Sequence, residues 1–426
     1  MRLVIIGGGA AGFMAAVTAA QTNPEAQITI LEKNRTVLNK VRISGGGRCN
    51  VTHACYDHRA LASQYPRGES LLRKLLPLFD VRSTIFWFES KGVPLKVESD
   101  GRMFPESNSS ETIITCLLAQ AATHHIQVRT STGVQSFTYS FQEETENTFN
   151  LLLQNGETIT ADRLLIATGG HPQRKGFDWV AEHGHRIETP LPSLFTFNVP
   201  QNYLKPLSGV SMQDTALKIM GTPLEWRGPL LITHWGFSGP AVLKLSAWGA
   251  RELAARNYDF VLRINWLPAL TQQEIRQELL AQKGTSPKQM AATQARFGVP
   301  HRLWKALLEK ADIEPTLRWL DVSNKGINRL VDLLTNSQFN IQGKSTYKEE
   351  FVTAGGVSLS EVNPMTLESV RVPGLYFAGE ILDVDGITGG FNFQNAWTTG
   401  YIAGKMIGTS QDPILTRNST DDSTTD

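Results

Sequence analysis

Disulfide chemistry, membrane-spanning runs and a strong charge of either sign are all missing from this sequence. Its 426 residues include only three cysteines and no CxxC pair, so no disulfide framework can form and we expect a reducing compartment. No apolar run approaches the roughly 20 residues that a membrane span needs. A strand predicted near Met1 leaves no room for a signal peptide. We therefore expect a cytoplasmic protein that is not embedded in a membrane.

Charge and ligand-rich motifs exclude further classes. Lys and Arg number 41 against 40 Asp and Glu, and the net charge of +1 by itself predicts neither a nucleic-acid partner nor a membrane partner. No His/Cys cluster has the spacing of metal ligands, and no G-x-S-x-G nucleophile elbow occurs. The length and the ordinary 41% hydrophobic content instead predict two or three globular domains.

The first 32 residues contain a complete strand–turn–helix–strand unit. An apolar strand ends before Gly7-x-Gly9-x-x-Gly12, and a stretch of small residues then leads to a second strand that ends at Glu32. The first glycine permits a tight turn, the second lets a pyrophosphate approach the backbone, and the third lets helix and strand pack closely. The helix N-terminus favours the anion. This context predicts a dinucleotide site rather than a glycine turn without a ligand.

Glu32 indicates which dinucleotide binds there. It lies about twenty residues after Gly12, where a carboxylate accepts hydrogen bonds from an adenosine ribose. A carboxylate at this position disfavours the 2′-phosphate of NADP. Two later segments, Thr168 to Gly170 and Gly379-Glu380, each follow a predicted strand, as an extended FAD requires.

These segments resemble the FAD-binding half of the glutathione-reductase-like flavoproteins. The resemblance implies that Glu380 binds the ribityl hydroxyls and that Gly389, Gly390 and Phe391 lie beside the flavin pyrimidine ring. A helix is predicted from Phe391 to Met406, and its N-terminus would favour the anionic reduced flavin.

Three longer motifs sharpen the resemblance: Ile43 to Thr52, Thr233 to Pro240, and Gly379 to Asn392. Together they are similar to the bacterial BaiN/YhiN-like flavoproteins, also described as NAD(P)/FAD-dependent or aminoacetone-oxidase-like oxidoreductases. The resemblance implies an α/β fold with a doubly wound FAD-binding domain, interrupted by a β-barrel-like domain and a small helical domain. It does not determine the physiological substrate.

A shift in composition near Pro190 places the domain boundaries. We expect the FAD-binding domain in two parts, 1–190 and 350–409, on either side of the inserts. The expected remaining segments are a β-rich insert at 191–268, a helical insert at 269–335, a return strand at 336–349 and a disordered Ser/Thr/Asp-rich tail at 410–426. Short strands over 126–160 predict an antiparallel ribbon, and Gly355 to Val357 predict a turn.

The residues expected to hold a noncovalent FAD lie within or beside the glycine-rich segments or follow from the resemblance. They are Gly7, Gly9, Ala10, Ala11, Gly12, Glu32, Lys33, Lys40, Ser44, Gly45, Gly46, Arg48, Cys49, Asn50, Val134, Ala167, Thr168, Gly169, Gly379, Glu380, Gly389, Gly390, Phe391 and Asn392.

Several of these residues, and some of their neighbours, have two interpretations. Cys49 and Cys55, with five residues between them, are either a redox pair or a packed thiol and an incidental one. Arg48 either contacts the cofactor or forms a surface ion pair. His53 and His234 are either proton donors or structural histidines, so the catalytic residues stay unassigned.

Asp383 and Asp385 either cap turns or contact FAD. Cys116 falls in a helical pattern and is expected in the core.

The leading functional prediction is an FAD-dependent oxidoreductase that acts on a small organic substrate by hydride transfer, with the substrate between the FAD domain and the insert. One alternative is a tRNA-modifying flavoprotein, because residues 251–330 carry 13 Lys/Arg against 8 Asp/Glu. A solvated surface explains this excess of positive charge equally well, and we expect no nucleic-acid partner. Another is a non-catalytic flavin-binding protein. Only one complete dinucleotide fingerprint occurs, so NAD(P)H is expected only as a transient electron donor. The sequence does not predict the oligomeric state.

Overall fold

The computed structural model describes residues 1–142, 145–345 and 352–409, and these divide into two compact units. Unit 1 comprises Met1–Leu191 together with the chain from Val352 onward, and unit 2 runs from Pro192 to Phe351. The tail predicted to be disordered, 410–426, lies outside the described residues, as do residues 346–349 of the predicted return strand.

Both units mix strands and helices. The strands in chain order are β1 Arg2–Ile6, β2 Gln27–Leu31, β3 Thr52–His53, β4 Leu95–Val97, β5 Arg102–Pro105, β6 Gln127–Arg129, β7 Val134–Gln142, β8 Thr145–Leu153, β9 Thr158–Ala161, β10 Arg163–Ile166, β11 Ile187–Pro192, β12 Thr196–Asn198, β13 Ser211–Ile219, β14 Glu225–Ile232, β15 Gly236–Ser238, β16 Asp259–Asn265, β17 Ser337–Gln342, β18 Lys344–Ser345, β19 Thr353–Val357 and β20 Leu375–Phe377. The helices are α1 Ala10–Thr22, α2 Asn39–Gly47, α3 His58–Ala62, α4 Glu69–Leu75, α5 Val81–Glu89, α6 Ser110–Thr123, α7 Asp178–Ala181, α8 Pro240–Trp248, α9 Ala250–Ala255, α10 Gln272–Thr285, α11 His301–Lys310, α12 Asn324–Asn336 and α13 Phe391–Thr409.

A five-stranded parallel sheet forms the centre of unit 1. Its strand order is β20-β10-β1-β2-β6, and each neighbouring pair is parallel. Residues Leu3 to Ile6 of β1 are all buried, as expected for a central strand covered on both faces. The predicted doubly wound α/β fold is confirmed.

Helices α1 and α13 pack unusually closely in unit 1. Gly400, Gly404 and Gly408 recur every four residues along α13 and therefore share one face. A Cβ at Gly400 would lie 2.5 Å from the carbonyl oxygen of Ala11, and one at Gly404 would lie 2.3 Å from that of Ala15. Glycine on α13 thus brings the C-terminal helix against the helix that carries the dinucleotide motif.

Two local expectations for unit 1 need correction. The antiparallel ribbon consists of β7, β8 and β9, whereas β6 pairs in parallel with β2 in the main sheet. Gly355 and Gly356 do not form a turn, because they lie within strand β19, which pairs with β11. A Cβ at Gly355 would lie 2.4 Å from the Thr189 carbonyl oxygen. Their glycine content therefore reflects close backbone approach in a strand.

In unit 2, strands β12 to β18 form a closed, barrel-like sheet. The order is β17-β16-β13-β14-β15-β12-β18, so the two ends of the sheet are strands separated in sequence by Gly343 alone. The Gly343 N–H donates to the Tyr258 carbonyl at 2.9 Å, and its own carbonyl accepts from the Asn198 N–H at 3.2 Å. One continuous segment thereby joins both edges of the sheet.

The helices of unit 2 share a hydrophobic core with its barrel. Trp266 is fully buried beside β16 and donates from its indole to the Ser337 hydroxyl at 3.1 Å. Trp304 of α11 is also fully buried and donates to the Ala291 carbonyl at 2.9 Å. The β-rich and helical inserts predicted from the sequence therefore lie within one compact unit.

Candidate functional site

The carboxyl ends of the parallel strands bring four chain segments to one edge of the unit 1 sheet. In register, Ile6 of β1 lies opposite Leu31 of β2 and Ile166 of β10, and Ile166 lies opposite Phe377 of β20. The residues that follow these strands begin the predicted cofactor segments, which are Gly7, Glu32, Ala167 and Gly379 with its neighbours. This edge is where ligands bind in open α/β sheets.

The three glycines of the β1–α1 turn have different surroundings. Gly7 has a φ of +116°, and a Cβ there would lie 2.3 Å from the Ala167 carbonyl oxygen. A Cβ on Gly12 would lie 2.1 Å from the Gly7 carbonyl oxygen. A Cβ on Gly9 would meet nothing within 4 Å. The first and third glycines are thus required by the fold, whereas the second borders open space.

The open side of Gly9 fits the group that the motif predicts. Gly9 is the N-cap residue of α1 and has no side chain to cap the helix, and Ala10 and Ala11 form the first turn. The unpaired N–H groups and the positive end of a helix bind a pyrophosphate when no side chain stands in the way. The residues present therefore fit a dinucleotide at the N-terminus of α1.

Glu32 follows β2 and ties the glycine turn to the next loop. Its Oε2 accepts from the Gly8 N–H at 3.0 Å, and its Oε1 accepts from the backbone and side-chain nitrogens of Asn34 at 2.8 and 2.6 Å. Lys33 beside it is exposed. The carboxylate lies where the ribose contact is predicted, and the same carboxylate also orders the loop.

Glu380 and Lys40, both expected to contact the cofactor, form an ion pair. The Lys40 Nζ lies 2.6 Å from the Glu380 Oε2, and the Thr353 N–H donates to the Oε1 at 2.8 Å. The Gly379 N–H donates to the Thr399 hydroxyl of α13 at 2.9 Å. These bonds bring Lys40, which is distant in sequence, to the segment that follows β20.

A second glycine loop ends α2. Gly45, Gly46 and Gly47 all have positive φ, at +58°, +68° and +82°, and the Ser44 hydroxyl donates to the Val41 carbonyl at 3.0 Å. A Cβ on Gly46 or Gly47 would meet nothing within 4 Å. The loop therefore presents open backbone, as the β1–α1 turn does at its second glycine.

Arg48, directly after this loop, binds residues of unit 1. Its Nη1 lies 2.6 Å from the Glu98 Oε1, and its guanidinium lies 3.9 Å from the centre of the Phe104 ring. About a third of the Arg48 side chain is exposed. The structure thus shows the ion-pair interpretation, while a contact with the cofactor stays a prediction.

Cys49 is fully buried, and its thiol is hard to ionise. Burial raises its pKa to about 12, a shift that a hydrogen bond with Ser44 only partly opposes. The three cysteines are all free thiols. Since the thiolate is the reactive form, these properties favour a packed residue over a redox nucleophile.

Asn50 and His53 contact the turn that precedes α13. The His53 Nδ1 lies 3.0 Å from the Gly389 carbonyl oxygen, and its ring stacks on Phe391 with centres 4.7 Å apart. With the Asn50 amide oriented to satisfy both of its ends, its oxygen accepts from the Gly390 N–H at 3.0 Å. Two motifs that the sequence suggested separately therefore form one site.

A buried polar network on α13 also joins this helix to the segment around Asn50 and His53. The fully buried Gln394 accepts on its Oε1 from the hydroxyls of Thr52 at 2.6 Å and Thr84 at 3.0 Å. Its nitrogen donates to the Thr398 hydroxyl at 3.0 Å, and the Trp397 indole donates to the Val51 carbonyl at 2.9 Å. Buried polar groups joined in this way specify one arrangement of the helix against β3.

The sequence reasoning missed two further contacts of the Gly379–Phe391 segment. Asp385 is fully buried and bonded to the buried guanidinium of Arg67, with Nε to Oδ1 at 2.6 Å. The buried Tyr65 hydroxyl donates to the Phe391 carbonyl at 2.6 Å. Asp385 was already a candidate residue in the sequence, but no motif near Arg67 predicts that its guanidinium is buried and paired with a carboxylate.

The other predicted residues have mixed surroundings. Thr168 is exposed and Gly169 has a φ of +72° with open space at its Cβ position. Val134 begins β7 and is half-buried. The Asn392 amide closes a turn by bonding both the N–H and the carbonyl of Gly386, at 2.8 and 3.0 Å.

In unit 2, His234, one of the two candidate proton donors, lies in the tight β14–β15 turn and is exposed together with Trp235. A groove of about 490 Å³ in this unit is lined by Glu274, Glu278, Arg296 and their neighbours, none of which was predicted to bind the cofactor.

In the part of the chain that the structure describes, no His/Cys/Asp/Glu cluster could hold a metal ion. Nor is any helix there long and apolar enough to cross a membrane.

Comparisons with known proteins cover almost the whole chain. The family model described as HI0933-like protein Rossmann domain matches residues 1–406. A 3-dehydro-bile acid delta(4,6)-reductase of Clostridium scindens is 28% identical over 412 residues, covering 95% of this chain and 98% of that protein. A ribosomal RNA dihydrouridine synthase of Escherichia coli is 29% identical over 409 residues, covering 93% and 96%.

A solved structure has a fold similar to that of this chain. A 3-ketosteroid delta1-dehydrogenase from Sterolibacterium denitrificans superposes with a TM-score of 0.52, covering 96% of this chain and 99% of that chain. At 11% sequence identity the likeness concerns the fold alone.

Proposed function

The chain belongs to the family of HI0933-like proteins and is an FAD-dependent oxidoreductase; from this premise we propose that it reduces a carbon–carbon double bond conjugated to a carbonyl group in a small organic substrate. The observation that carries the cofactor assignment is the open space beside Gly9 at the N-terminus of α1. Noncovalent FAD would supply the two-electron hydride chemistry.

The residues of unit 1 would divide the binding of FAD among them. The N-terminus of α1 would bind the pyrophosphate and Glu32 the adenosine ribose. Glu380 would bind the ribityl chain while its carboxylate stays paired with the Lys40 ammonium. Gly389, Gly390 and the start of α13 would lie beside the pyrimidine ring.

The names of the relatives support the class of substrate. A delta(4,6)-reductase of a 3-dehydro-bile acid and a dihydrouridine synthase both describe the addition of two hydrogens to a ring double bond near a carbonyl. Such a bond is electron-poor, so it accepts hydride at the carbon remote from the carbonyl and a proton at the adjacent carbon. We infer the same reaction type for this chain. The residue that gives the proton is unassigned, and His53 and His234 stay hypotheses.

A second candidate substrate is a uracil base in RNA. It is favoured by the relative named ribosomal RNA dihydrouridine synthase and by the excess of five cations over anions in residues 251–330, 13 against 8. Since the reaction type would be the same, only the carrier of the double bond distinguishes the two candidates.

Reoxidation of the reduced holoprotein tests both candidates. FAD released by acid from the purified yellow protein would first establish the cofactor. The protein is then reduced anaerobically and mixed with cyclic enones or with unmodified ribosomal RNA, while the flavin absorbance is followed. Rapid reoxidation by an enone that is insensitive to salt supports the small substrate, whereas salt-sensitive reoxidation by RNA supports the second candidate. Failure of both substrate classes would contradict the proposed reaction.

NAD(P)H would act only as a transient electron donor. The chain has one complete dinucleotide fingerprint, and we propose that FAD fills it. We therefore expect a dissociation constant for NADH and NADPH of about 100 μM or higher, which is roughly 5 kcal/mol of binding. Calorimetric titration of the FAD-loaded protein measures this, and low-micromolar binding of either nucleotide would show a nicotinamide site that the motifs do not reveal.

A further inference from the structure

One peptide group in unit 1 is held from both sides by side chains of a distant segment. The carbonyl of Gly389 faces the Nδ1 of His53 at 3.0 Å, across 336 residues of sequence. The N–H of the following residue, Gly390, donates to the Asn50 oxygen at 3.0 Å. The Asn50 nitrogen in turn donates to the Thr52 carbonyl at 3.0 Å, which fixes the amide. We call Asn50 and His53 the peptide clamp.

The clamp also fixes the tautomer and the position of the His53 ring. A carbonyl oxygen can only accept, so Nδ1 must carry the hydrogen. The ring is stacked on Phe391 at an interplanar angle of 25°. An ideal Cβ on Gly101 would lie 2.6 Å from Nε2, so the Gly101 backbone also leaves little room for the ring to move. Nδ1 therefore keeps its hydrogen and donates it to the Gly389 carbonyl in both the neutral and the protonated ring.

We propose that the peptide clamp positions the N-terminus of α13 for the flavin and that protonation of His53 makes the reduction potential of the bound flavin depend on pH. This inference rests on the proposed function, since it requires FAD beside Gly389 and Gly390. Within it His53 is a positioning residue, because it acts on the flavin through the Gly389–Gly390 peptide.

The charged residues on and beside the strand paired with β3 neutralise one another. On β5, Arg102 pairs with His53 across the strands, and its guanidinium binds Asp100 and Glu98. Glu98 also binds Arg48, so this group of two cations and two carboxylates is neutral.

In the part of the chain that the structure describes, α5 and α13 also pack against β3, and they carry few charged residues. The charged residues of α5 are Arg82, which binds the N-cap Asp80, and Glu89 near its end, while His58 also binds Asp80. The first turn of α13 has no acidic residue. A proton on His53 would therefore add positive charge next to a helix start whose first turn carries no acidic residue.

The balance of electrons and protons gives the expected signature. Two electrons and one proton added to a bound FAD would leave it with a negative charge, which would favour uptake of a second proton by His53. A tenfold change in a two-electron equilibrium equals 29.6 mV, so each coupled proton contributes about 30 mV per pH unit. With the reduced flavin kept anionic by the N-terminus of α13, the potential should fall by about 60 mV per pH unit where His53 takes up its proton and by about 30 mV where it does not.

Three variants test the inference by potentiometric titration of the holoprotein with dithionite across pH 5.5–8.5. His53→Asn keeps a side-chain N–H at the same distance along the side chain but cannot be protonated, so it should bind FAD normally and show the 30 mV slope throughout. His53→Leu also removes the donor and should weaken FAD about tenfold. His125→Asn makes the same change at an exposed position of unit 1 and should behave as wild type.

The outcomes separate this inference from the function on which it rests. A wild-type protein that binds no FAD overturns both. A wild-type protein that binds FAD, with a potential whose pH slope is the same in His53→Asn, overturns the role of His53 and leaves the oxidoreductase assignment standing. If His53→Leu does not fold, the comparison of wild type with His53→Asn decides the matter by itself.

Discussion

The two glycine turns of unit 1 use glycine for different physical reasons. In the β1–α1 turn, Gly7 and Gly12 are required because a side chain would collide with backbone at 2.3 and 2.1 Å, while Gly9 has an ordinary φ of −97° and open space. In the loop that ends α2, Gly46 and Gly47 also face open space, but their φ values of +68° and +82° disfavour any side chain. Open space alone therefore does not identify a ligand-binding glycine. Gly9 is the informative one, because neither packing nor backbone conformation demands it.

Replacing Gly9 and Gly12 of the first turn with valine, one at a time, should separate the effect on folding from the effect on cofactor binding. Gly12→Val should prevent folding of unit 1, because its Cβ would lie 2.1 Å from the Gly7 oxygen. Gly9→Val should fold with a melting temperature near that of the wild-type apoprotein but bind no FAD, since the side chain would occupy the approach of the pyrophosphate. Circular dichroism melts and the ratio of flavin to protein measure the two effects. A fully flavinylated Gly9→Val protein would refute the placement of the cofactor.

The carboxylate at the end of β2 should matter less than the turn. Glu32→Ala should weaken FAD by about ten- to hundredfold without preventing folding, since hydrogen bonds to a charged group contribute roughly 1.5–3 kcal/mol. Part of this loss would come from the freed Gly8 N–H and the loosened Asn34 loop. Quenching of flavin fluorescence measures the affinity, with the exposed Glu25→Ala as a control for the lost charge. Unchanged affinity would mean that Glu32 does not bind the ribose.

Alanine at the open glycines should show the difference between the two turns directly. Gly46→Ala should lower the stability of the apoprotein by about 1–2 kcal/mol, because an L-residue is forced into the left-handed region. Gly9→Ala should leave it nearly unchanged, since its φ suits any residue. Melting curves of the two apoproteins provide the measurement. Equal losses in both would contradict the distinction between conformational and spatial reasons for glycine.

The smallest expected effect concerns the thiol that follows the second turn. Burial raises the Cys49 pKa to about 12, so the thiol should stay protonated and unreactive throughout pH 7–10 in the folded protein. The pKa of Cys55 is also raised, first by burial, but its side chain is partly exposed and should react first. Alkylation followed by mass spectrometry distinguishes the two sites. Modification of Cys49 as fast as Cys55 would reopen the redox interpretation.

The sequence alone determined the features that depend on neighbouring residues. Gly7, Gly9 and Gly12 predict a turn whose steric needs are met within the first βαβ unit, and the structure confirms the strand, turn and helix there. The apolar strands and the helix from Phe391 were likewise predictable from local periodicity.

Only the tertiary structure decided which distant segments meet. The local sequence around Gly355 and Gly356 predicts a turn, yet the pairing of β19 with β11 makes them part of a strand. The clamp of Asn50 and His53 on the Gly389–Gly390 peptide and the buried pair of Arg67 with Asp385 join residues more than 300 positions apart. Such contacts satisfy buried polar groups that either segment alone would leave exposed to water, so no local pattern encodes them.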